Sequence, residues 1–333
     1  MEKKIELPFS EPLVSALHCY IPPGMCLYEN PSLINWYLNE VIDFRCDKAF
    51  LSGVTTPLFY IEEAFFGNCP YLETHMYPMR FAKGNINSII REFLRNGYYV
   101  FFSGVDDYYL ENKSFYHERH FYHDGIIYGY DQEKKTYSIY AYDKNWVCRK
   151  FEISQKSFNK GREAMFSQKK YGDVCGFKPQ NQQILFDLKV ALDGIVRYMD
   201  SSFEKYPINS RGLAHGIIVQ DFLAMYLEKL LDGSIPFERM DRRIMRPIWE
   251  HKRLMKMRIE KIEEHLKLNS DISKDYESVE KEANALRILY ATYNRKKRDS
   301  LLLNIHDRLL KLKEKEYRLL QQLIDKAKEA LEQ

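Results

Sequence analysis

Residues 117–131 read HERHFYHDGIIYGYD, and this stretch decides how the first half of the chain is interpreted. His117, His120 and His123 lie three positions apart, and a run of apolar and aromatic residues follows them. Such a run predicts a buried β-strand over residues 124–131. Histidines that lead into a strand are open to three interpretations: a metal site, a catalytic imidazole, or loop and capping residues.

The flanking segments predict a small sheet around this strand. YYVFFSGV (98–105) and YSIYAYD (137–143) are further strand candidates, and the polar DQEKK between the last two strands predicts a hairpin turn. INSIIREFLRNG (86–97) has helical spacing and ends at Gly97, a plausible helix cap.

A metal site has little support from the surrounding sequence. No acidic cluster follows the histidines to complete a ligand set, and none of the six cysteines forms a CxxC pair. Cysteines spread along a chain are typical of thiols in a reducing compartment. We therefore predict no metal and no bound cofactor.

The catalytic interpretation follows from the predicted hairpin. Across an antiparallel hairpin the start of one strand lies beside the end of the next, so His123 and Asp143 are expected to be neighbours. An imidazole that is oriented by a carboxylate can activate a thiol. Asn145 is an alternative orienting residue, because an amide can take the same role.

Two cysteines compete for the role of nucleophile. Cys26 begins CLYENPSLINWYLNEVIDF, which we predict to be a helix, and a helix N-terminus lowers the pKa of a thiol. Cys19 is followed by Tyr-Ile-Pro-Pro-Gly, which we expect to be unable to continue as helix. The pattern favours Cys26 over Cys19 as nucleophile, and the structural alternative is that Cys26 is a small buried apolar residue.

Composition and periodicity bound the rest of the chain. Its 333 residues carry a net charge of +3, which is too small to indicate nucleic acid or an anionic membrane as partner. We find no apolar run of transmembrane length and no signal-peptide core, so a cytoplasmic protein is expected. After residue 180 the strand patterns stop and helical periods take over. We predict a catalytic domain over residues 1–178 and a helical domain over 179–333, whose long charged helices make a homodimer plausible.

The first domain resembles the N-terminal domain family of butirosin biosynthesis protein H. The resemblance rests on GMCLYENPSLINWYL (24–38), on LSGVTTPLFY (51–60) and on the block from residue 94 to residue 143. In that block DYYL (107–110), HFYH (120–123) and GYD (129–131) match the family pattern. One departure is that the family cysteine usually follows a histidine, a pair found here at His18–Cys19 and not at Cys26.

The resemblance implies an α+β chain with a papain-like cysteine protease fold followed by an all-α helical domain. It implies a triad of Cys26, His123 and Asp143 in an amide-forming acyltransferase of natural-product biosynthesis. The acyl group would arrive as a phosphopantetheine thioester on an acyl carrier protein and pass through the cysteine to a small-molecule amine. We expect the helical domain to act as a lid that excludes water from the acyl-enzyme.

Two other classes of function stay open. A cysteine peptidase or thioesterase would use the same scaffold and triad, with water in place of the amine. A non-catalytic scaffold protein would use the helices as its working surface.

Several further residues have both a functional and a structural interpretation. His215 and His251 can face an active site or can be packing histidines. Asp106 and Asp107 can contact a substrate amine or can cap a strand end.

Overall fold

A computed structural model describes residues 3–52, 59–61, 64–82, 84–167, 172–201 and 212–332. Short 3-10 turns supplement the regular elements, among them His18–Tyr20, Cys26–Tyr28 and Asp107–Tyr109. In chain order the strands and helices are β1 (Lys4–Glu6), α1 (Ile21–Met25), α2 (Leu33–Glu40), β2 (Phe44–Asp47), β3 (Phe59–Ile61), β4 (Leu72–Pro78), α3 (Met79–Ala82), α4 (Ile86–Arg95), β5 (Tyr99–Asp106), β6 (Tyr122–Asp131), β7 (Thr136–Tyr142), β8 (Cys148–Ser154), α5 (Gln155–Ser167), β9 (Asp173–Pro179), α6 (Leu188–Asp200), β10 (Leu213–His215), α7 (Val219–Leu231), α8 (Met245–Leu266), α9 (Ile272–Lys296) and α10 (Asp299–Leu331).

The chain forms two compact units, and each of them is discontinuous in sequence. The first unit comprises residues 1–33 and 69–183, and the second comprises residues 34–68 and 184–333. The division differs from the predicted one, which placed the whole of residues 1–178 in one domain. The main difference is the segment 34–68, which folds with the helical part of the chain, and residues 179–183 belong to the first unit.

Buried hydrogen bonds explain why this segment joins the second unit. The guanidinium of Arg258, on α8, donates to the backbone oxygens of Leu38, Tyr37 and Val41 at distances of 2.7, 2.8 and 2.8 Å. It thereby supplies a charged donor to carbonyls at and just after the C-terminal end of α2, of which that of Tyr37 also accepts from the Val41 N–H at 3.2 Å. In addition, β2 pairs antiparallel with β10.

The first unit contains a seven-stranded antiparallel sheet. Its strand order is β4-β9-β5-β6-β7-β8, and β1 pairs with the last residues of β6. The strands β5, β6 and β7 and the β6–β7 hairpin confirm the strand predictions. The helix predicted over residues 86–97 is α4, and Gly97 follows it with a left-handed φ of 77°.

Both faces of this sheet are covered, which explains why its strands are near-continuous apolar runs. On one face, Ile90 of α4 and Phe158 of α5 belong to the same buried cluster as Phe102 of β5. On the other face, Tyr140 and Tyr142 of β7 contact the segment that follows β1. The Tyr140 hydroxyl donates to Glu11, and the Tyr142 hydroxyl donates to the backbone oxygen of Ser15. The N-terminal segment is therefore held against the sheet.

The second unit combines a three-stranded sheet, β10-β2-β3, with the helices α6 to α10. Its interior contains a buried ion pair in which Lys252 Nζ lies 2.6 Å from Glu316 Oε2, both side chains being fully buried. The same carboxylate accepts hydrogen bonds from Tyr276, Gln220 and Tyr198 at 2.5, 2.7 and 3.2 Å. None of the helices that the structure describes is both long and apolar enough to cross a membrane. The chain is thus α+β, with an antiparallel sheet and a helical C-terminal region.

Candidate active site

The site begins where a bulge in β5 redirects the end of the strand. The pairing of β5 with β6 shifts register between Phe102 and Val105, and Gly104 has a left-handed φ of 69°. The Gly104 N–H donates to Asp124 Oδ1 at 3.0 Å, which holds the bulge against β6. Two buried carboxylates, Asp106 and Asp107, follow directly.

Asp107 provides the carboxylate that contacts His123. Nδ1 of His123 lies 3.1 Å from Asp107 Oδ2, and the two side chains are 19% and 2% exposed. Within the described ranges, Nε2 of His123 has no hydrogen-bond partner. A His–Asp pair with one ring nitrogen held and the other available is the arrangement that a general base requires.

A buried lysine completes this group. Lys113 Nζ lies 3.2 Å from His123 Nδ1 and 3.6 Å from Asp107 Oδ1, and its side chain is only 1% exposed. Burial lowers the pKa of Lys113, while the nearby charge of Asp107 opposes that effect. The backbone on either side of Lys113 is anchored: Lys144 N–H donates to Asn112 O at 2.7 Å. On the other side, Ser114 Oγ donates to the Asp143 backbone oxygen at 3.1 Å.

A second histidine approaches the ring of His123 from the N-terminal segment. The rings of His18 and His123 are 4.8 Å apart in an edge-to-face arrangement. The backbone N–H of Tyr142 donates to His18 Nε2 at 3.3 Å, so the proton of the neutral His18 ring lies on Nδ1. The next residue in the chain, Cys19, is partly exposed. His18, the residue before Cys19, is therefore in ring contact with His123.

The structure overturns the reason for preferring Cys26 to Cys19. IPPGM, expected to be non-helical, forms α1, with proline at its first positions, where a missing N–H costs little. Cys19 lies in the 3-10 turn that leads into α1. Cys26 lies at the C-terminal end of α1, and α2 begins only at Leu33.

Cys26 also has the wrong environment for a thiolate. Its side chain is fully buried. Burial raises its pKa well above the ordinary thiol range, and the neighbouring groups Glu29 and Cys69 raise it further. A thiol in such surroundings behaves as a small apolar side chain and not as a nucleophile.

Asp143 has a different task from the one predicted for it. Its Oδ1 accepts hydrogen bonds from the N–H groups of Asn145 and Val147 at 2.8 and 2.9 Å, and its Oδ2 lies 2.6 Å from Arg149. Burial acts to raise the pKa of Asp143, but these N–H donors and the arginine hold it below its usual value. The side chain of Asn145 is turned toward the same carboxylate, at 3.5 Å. The carboxylate bonded to His123 is therefore that of Asp107, and Asp143 closes the turn between β7 and β8.

The two other histidines of the opening motif belong to a separate group. His120 Nδ1 lies 2.6 Å from Asp106 Oδ2, and its ring stacks on Tyr108 at 4.7 Å. The ring of His117 stacks on the same Tyr108 and also on Tyr116. Asp106 also accepts the N–H of Tyr108, as the capping interpretation predicted. In the part of the chain that the structure describes, no group of three or more acidic, histidine or cysteine side chains could hold a metal ion.

The remaining candidate histidines lie in the second unit, each with a partner of that unit. His215 Nδ1 is 3.0 Å from Asp43 Oδ2, and His251 Nε2 is 2.7 Å from the backbone oxygen of Ile42. Burial lowers the pKa of His251 well below its ordinary value, and the charge of Lys252 adds to this effect. These contacts support the packing interpretation.

No protein-family model and no curated protein matches the sequence. Residues 53–58 of the LSGVTTPLFY segment lie outside the described residues.

The sequence patterns single out His123 as a candidate, but they do not predict that Asp107 and Lys113 lie beside its ring. The available sequence signal for Asp107 was Gly104, which lies shortly before the Asp106–Asp107 pair. A glycine near a strand end can mark a bulge, and bulges often redirect functional side chains. Nothing in the local sequence distinguishes Lys113 from a surface lysine.

Proposed function

We propose that the protein is a cysteine acyltransferase of papain-like type that forms amides. Cys19 is the nucleophile, His123 the general base and Asp107 the residue that orients the imidazole. The observation that carries this proposal is the contact between the His18 and His123 rings, because it brings the residue before Cys19 to a His–Asp pair. The family resemblance supports the same assignment, since the family cysteine usually follows a histidine.

The proposed reaction has two proton-coupled steps. First, Nε2 of His123 accepts the thiol proton of Cys19, and the thiolate attacks the carbonyl carbon of an acyl thioester. A carbon–sulfur bond to Cys19 forms, the carbon–sulfur bond to the donor breaks, and the departing thiolate takes the proton from the imidazolium. Exchange of one thioester for another is nearly isoenergetic, so the protein mainly needs to supply a thiolate.

In the second step an amine attacks the acyl-enzyme, the carbon–sulfur bond to Cys19 breaks and an amide leaves. His123 takes the extra proton of the amine and returns one to the Cys19 thiolate. The proposed donor is an acyl group on a carrier-protein phosphopantetheine arm and the acceptor is a small-molecule amine. Both follow from the family resemblance.

The test is intact mass spectrometry of the protein after incubation with aryl and alkyl acyl thioesters, both as N-acetylcysteamine esters and on a carrier protein. We expect an adduct of one acyl group that is lost in Cys19→Ala and retained in Cys26→Ala. The second variant is a matched control, because both remove one thiol from the same helical segment. His123→Ala should slow adduct formation by about 10²–10⁴-fold, and Asp107→Asn should slow it more than Asp143→Asn does.

Each other outcome has a definite meaning. Loss of the adduct only in Cys26→Ala would return the nucleophile to Cys26. An adduct that survives in both cysteine variants, or no adduct with any donor, would contradict the proposal. Once an adduct is found, addition of diamines separates the two enzyme classes: an amide product supports the transferase, and free acid identifies a hydrolase on the same scaffold.

A further inference from the structure

Nδ1 of His123 has two neighbours, one of which can only accept a hydrogen bond while the other, when charged, can only donate one. Asp107 Oδ2, an acceptor, lies 3.1 Å from Nδ1, and Lys113 Nζ lies 3.2 Å from the same nitrogen. An ammonium group can only donate, whereas a carboxylate can only accept. Nδ1 therefore donates to Asp107 when it carries a proton, and it accepts from a charged Lys113 when it does not. The geometry permits one of these hydrogen bonds at a time.

We propose that Lys113 is a positioning residue that determines which nitrogen of His123 carries the ring proton. As an ammonium it donates to Nδ1, and the ring proton then lies on Nε2. As a neutral amine it no longer provides a charged donor to the Nδ1 lone pair. The ring proton then lies on Nδ1 and is donated to Asp107, and the Nε2 lone pair becomes available.

The surroundings of Lys113 allow both charge states. The side chain is almost completely buried, and the titratable groups around it lie on three elements. Asp107 lies on the 3-10 turn after β5, His123 and Asp124 lie on β6, and Cys148 lies on β8. Burial disfavours the ammonium and lowers the pKa of Lys113, while Asp107, Cys148 and Asp124 favour it. Loss of the Lys113 proton therefore occurs at lower pH than for an exposed lysine.

The consequence for catalysis rests on the proposed function. Only the tautomer with a proton on Nδ1 can accept the Cys19 proton at Nε2. Acylation should therefore rise with pH as Lys113 loses its proton, and fall about tenfold for each pH unit below that midpoint. A purely structural lysine would not produce this step.

The experiment uses full-length protein labelled with ¹⁵N-histidine, together with long-range ¹H–¹⁵N correlation spectra between pH 6 and pH 10.5. The nitrogen shifts report which ring atom carries the proton, independently of any substrate. In the wild type we expect the His123 proton to move from Nε2 to Nδ1 as pH rises. In Lys113→Met it should stay on Nδ1 throughout. Lys150→Met, which removes an exposed lysine of the same unit, should behave as the wild type.

A second variant covers the case in which Lys113→Met folds poorly. Lys113→Gln retains a polar side chain of similar length but cannot titrate, so the pH step should also disappear. A single His123 tautomer over the whole range in the wild type, or a step that persists in both Lys113 variants, would overturn the inference. A step that depends on Lys113 in a protein that no thioester acylates would refute the proposed function and leave the tautomer assignment standing.

Discussion

The buried Lys252–Glu316 pair allows a quantitative test of how the helical unit is stabilised. The two charged atoms lie 2.6 Å apart with no exposure to solvent. At an effective dielectric constant of about 20, a separation of this size corresponds to an attraction of roughly 6 kcal/mol. The cost of removing both charges from water offsets much of it. Breaking the pair from one side should nevertheless be costly, because the other charge then stays buried alone.

We expect Lys252→Met to lower the free energy of unfolding by roughly 3–5 kcal/mol. Tyr276, Gln220 and Tyr198 still donate to the carboxylate in this variant, but none of them carries a compensating charge. Glu316→Gln should be comparably destabilising, since it leaves Lys252 without its counter-charge. In the double variant neither charge remains, so its loss should be smaller than the sum of the two single losses by about 2–3 kcal/mol.

The measurement is urea unfolding followed by far-ultraviolet circular dichroism, with amide hydrogen exchange of α8 and α10 peptides to assign the loss to the helical unit. Lys261→Met is the matched control, because Lys261 lies on the same helix in an exposed pair with Glu264 and should cost less than about 1 kcal/mol. Additivity of the two single variants within about 0.5 kcal/mol would refute the reasoning.

Two further predictions concern buried polar groups of the same unit. Burial raises the pKa of Tyr198 and Tyr276 well above the ordinary value near 10. The stability that these protonated hydroxyls contribute should therefore be complete below pH ~10 and be lost as the pH rises further. Urea unfolding midpoints measured from pH 8 to pH 11 would show this loss. Midpoints that stay unchanged over this range would contradict the prediction. Arg258→Met should cost at least about 2 kcal/mol, because the carbonyls that accept from this guanidinium lose a charged donor. The free energy of unfolding, measured alongside that of Lys261→Met, checks this prediction. Equal losses in the two variants would show that the hydrogen bonds of Arg258 do not stabilise the fold.

The sheet of the first unit was predictable because its strands are buried on both faces. Residues 98–105, 124–131 and 137–143 are dense in β-branched and aromatic side chains, and a polar turn separates the last two. These signals are local and need no knowledge of the rest of the chain. Membership of residues 34–68 in the second unit was not predictable, since it depends on partners such as Arg258 that lie far along the sequence.

The candidate site shows the same limit at the level of single side chains. The hairpin correctly places Asp143 just after the end of β7. Hairpin topology does not fix the direction of a carboxylate, and the nearby N–H groups of Asn145 and Val147 capture it. For the cysteines, two consecutive prolines suggested a break where they in fact occupy the first turn of α1. Proline excludes the interior of a helix but not its start.

The chain order of the two units has a consequence for synthesis on the ribosome. Arg258 caps the carbonyl of Leu38 across a separation of 220 positions. At a translation rate of roughly 5–20 residues per second, α2 therefore waits on the order of ten to forty seconds for this donor. During that interval the nascent segment also lacks the packing partner of Phe44, which is buried in the finished protein with its ring 5.7 Å from that of His251 on α8. Chaperone binding is thus expected to concentrate on this early segment. An N-terminal fragment that stops before α8 should leave this segment without its later partners and fold less stably than the whole chain.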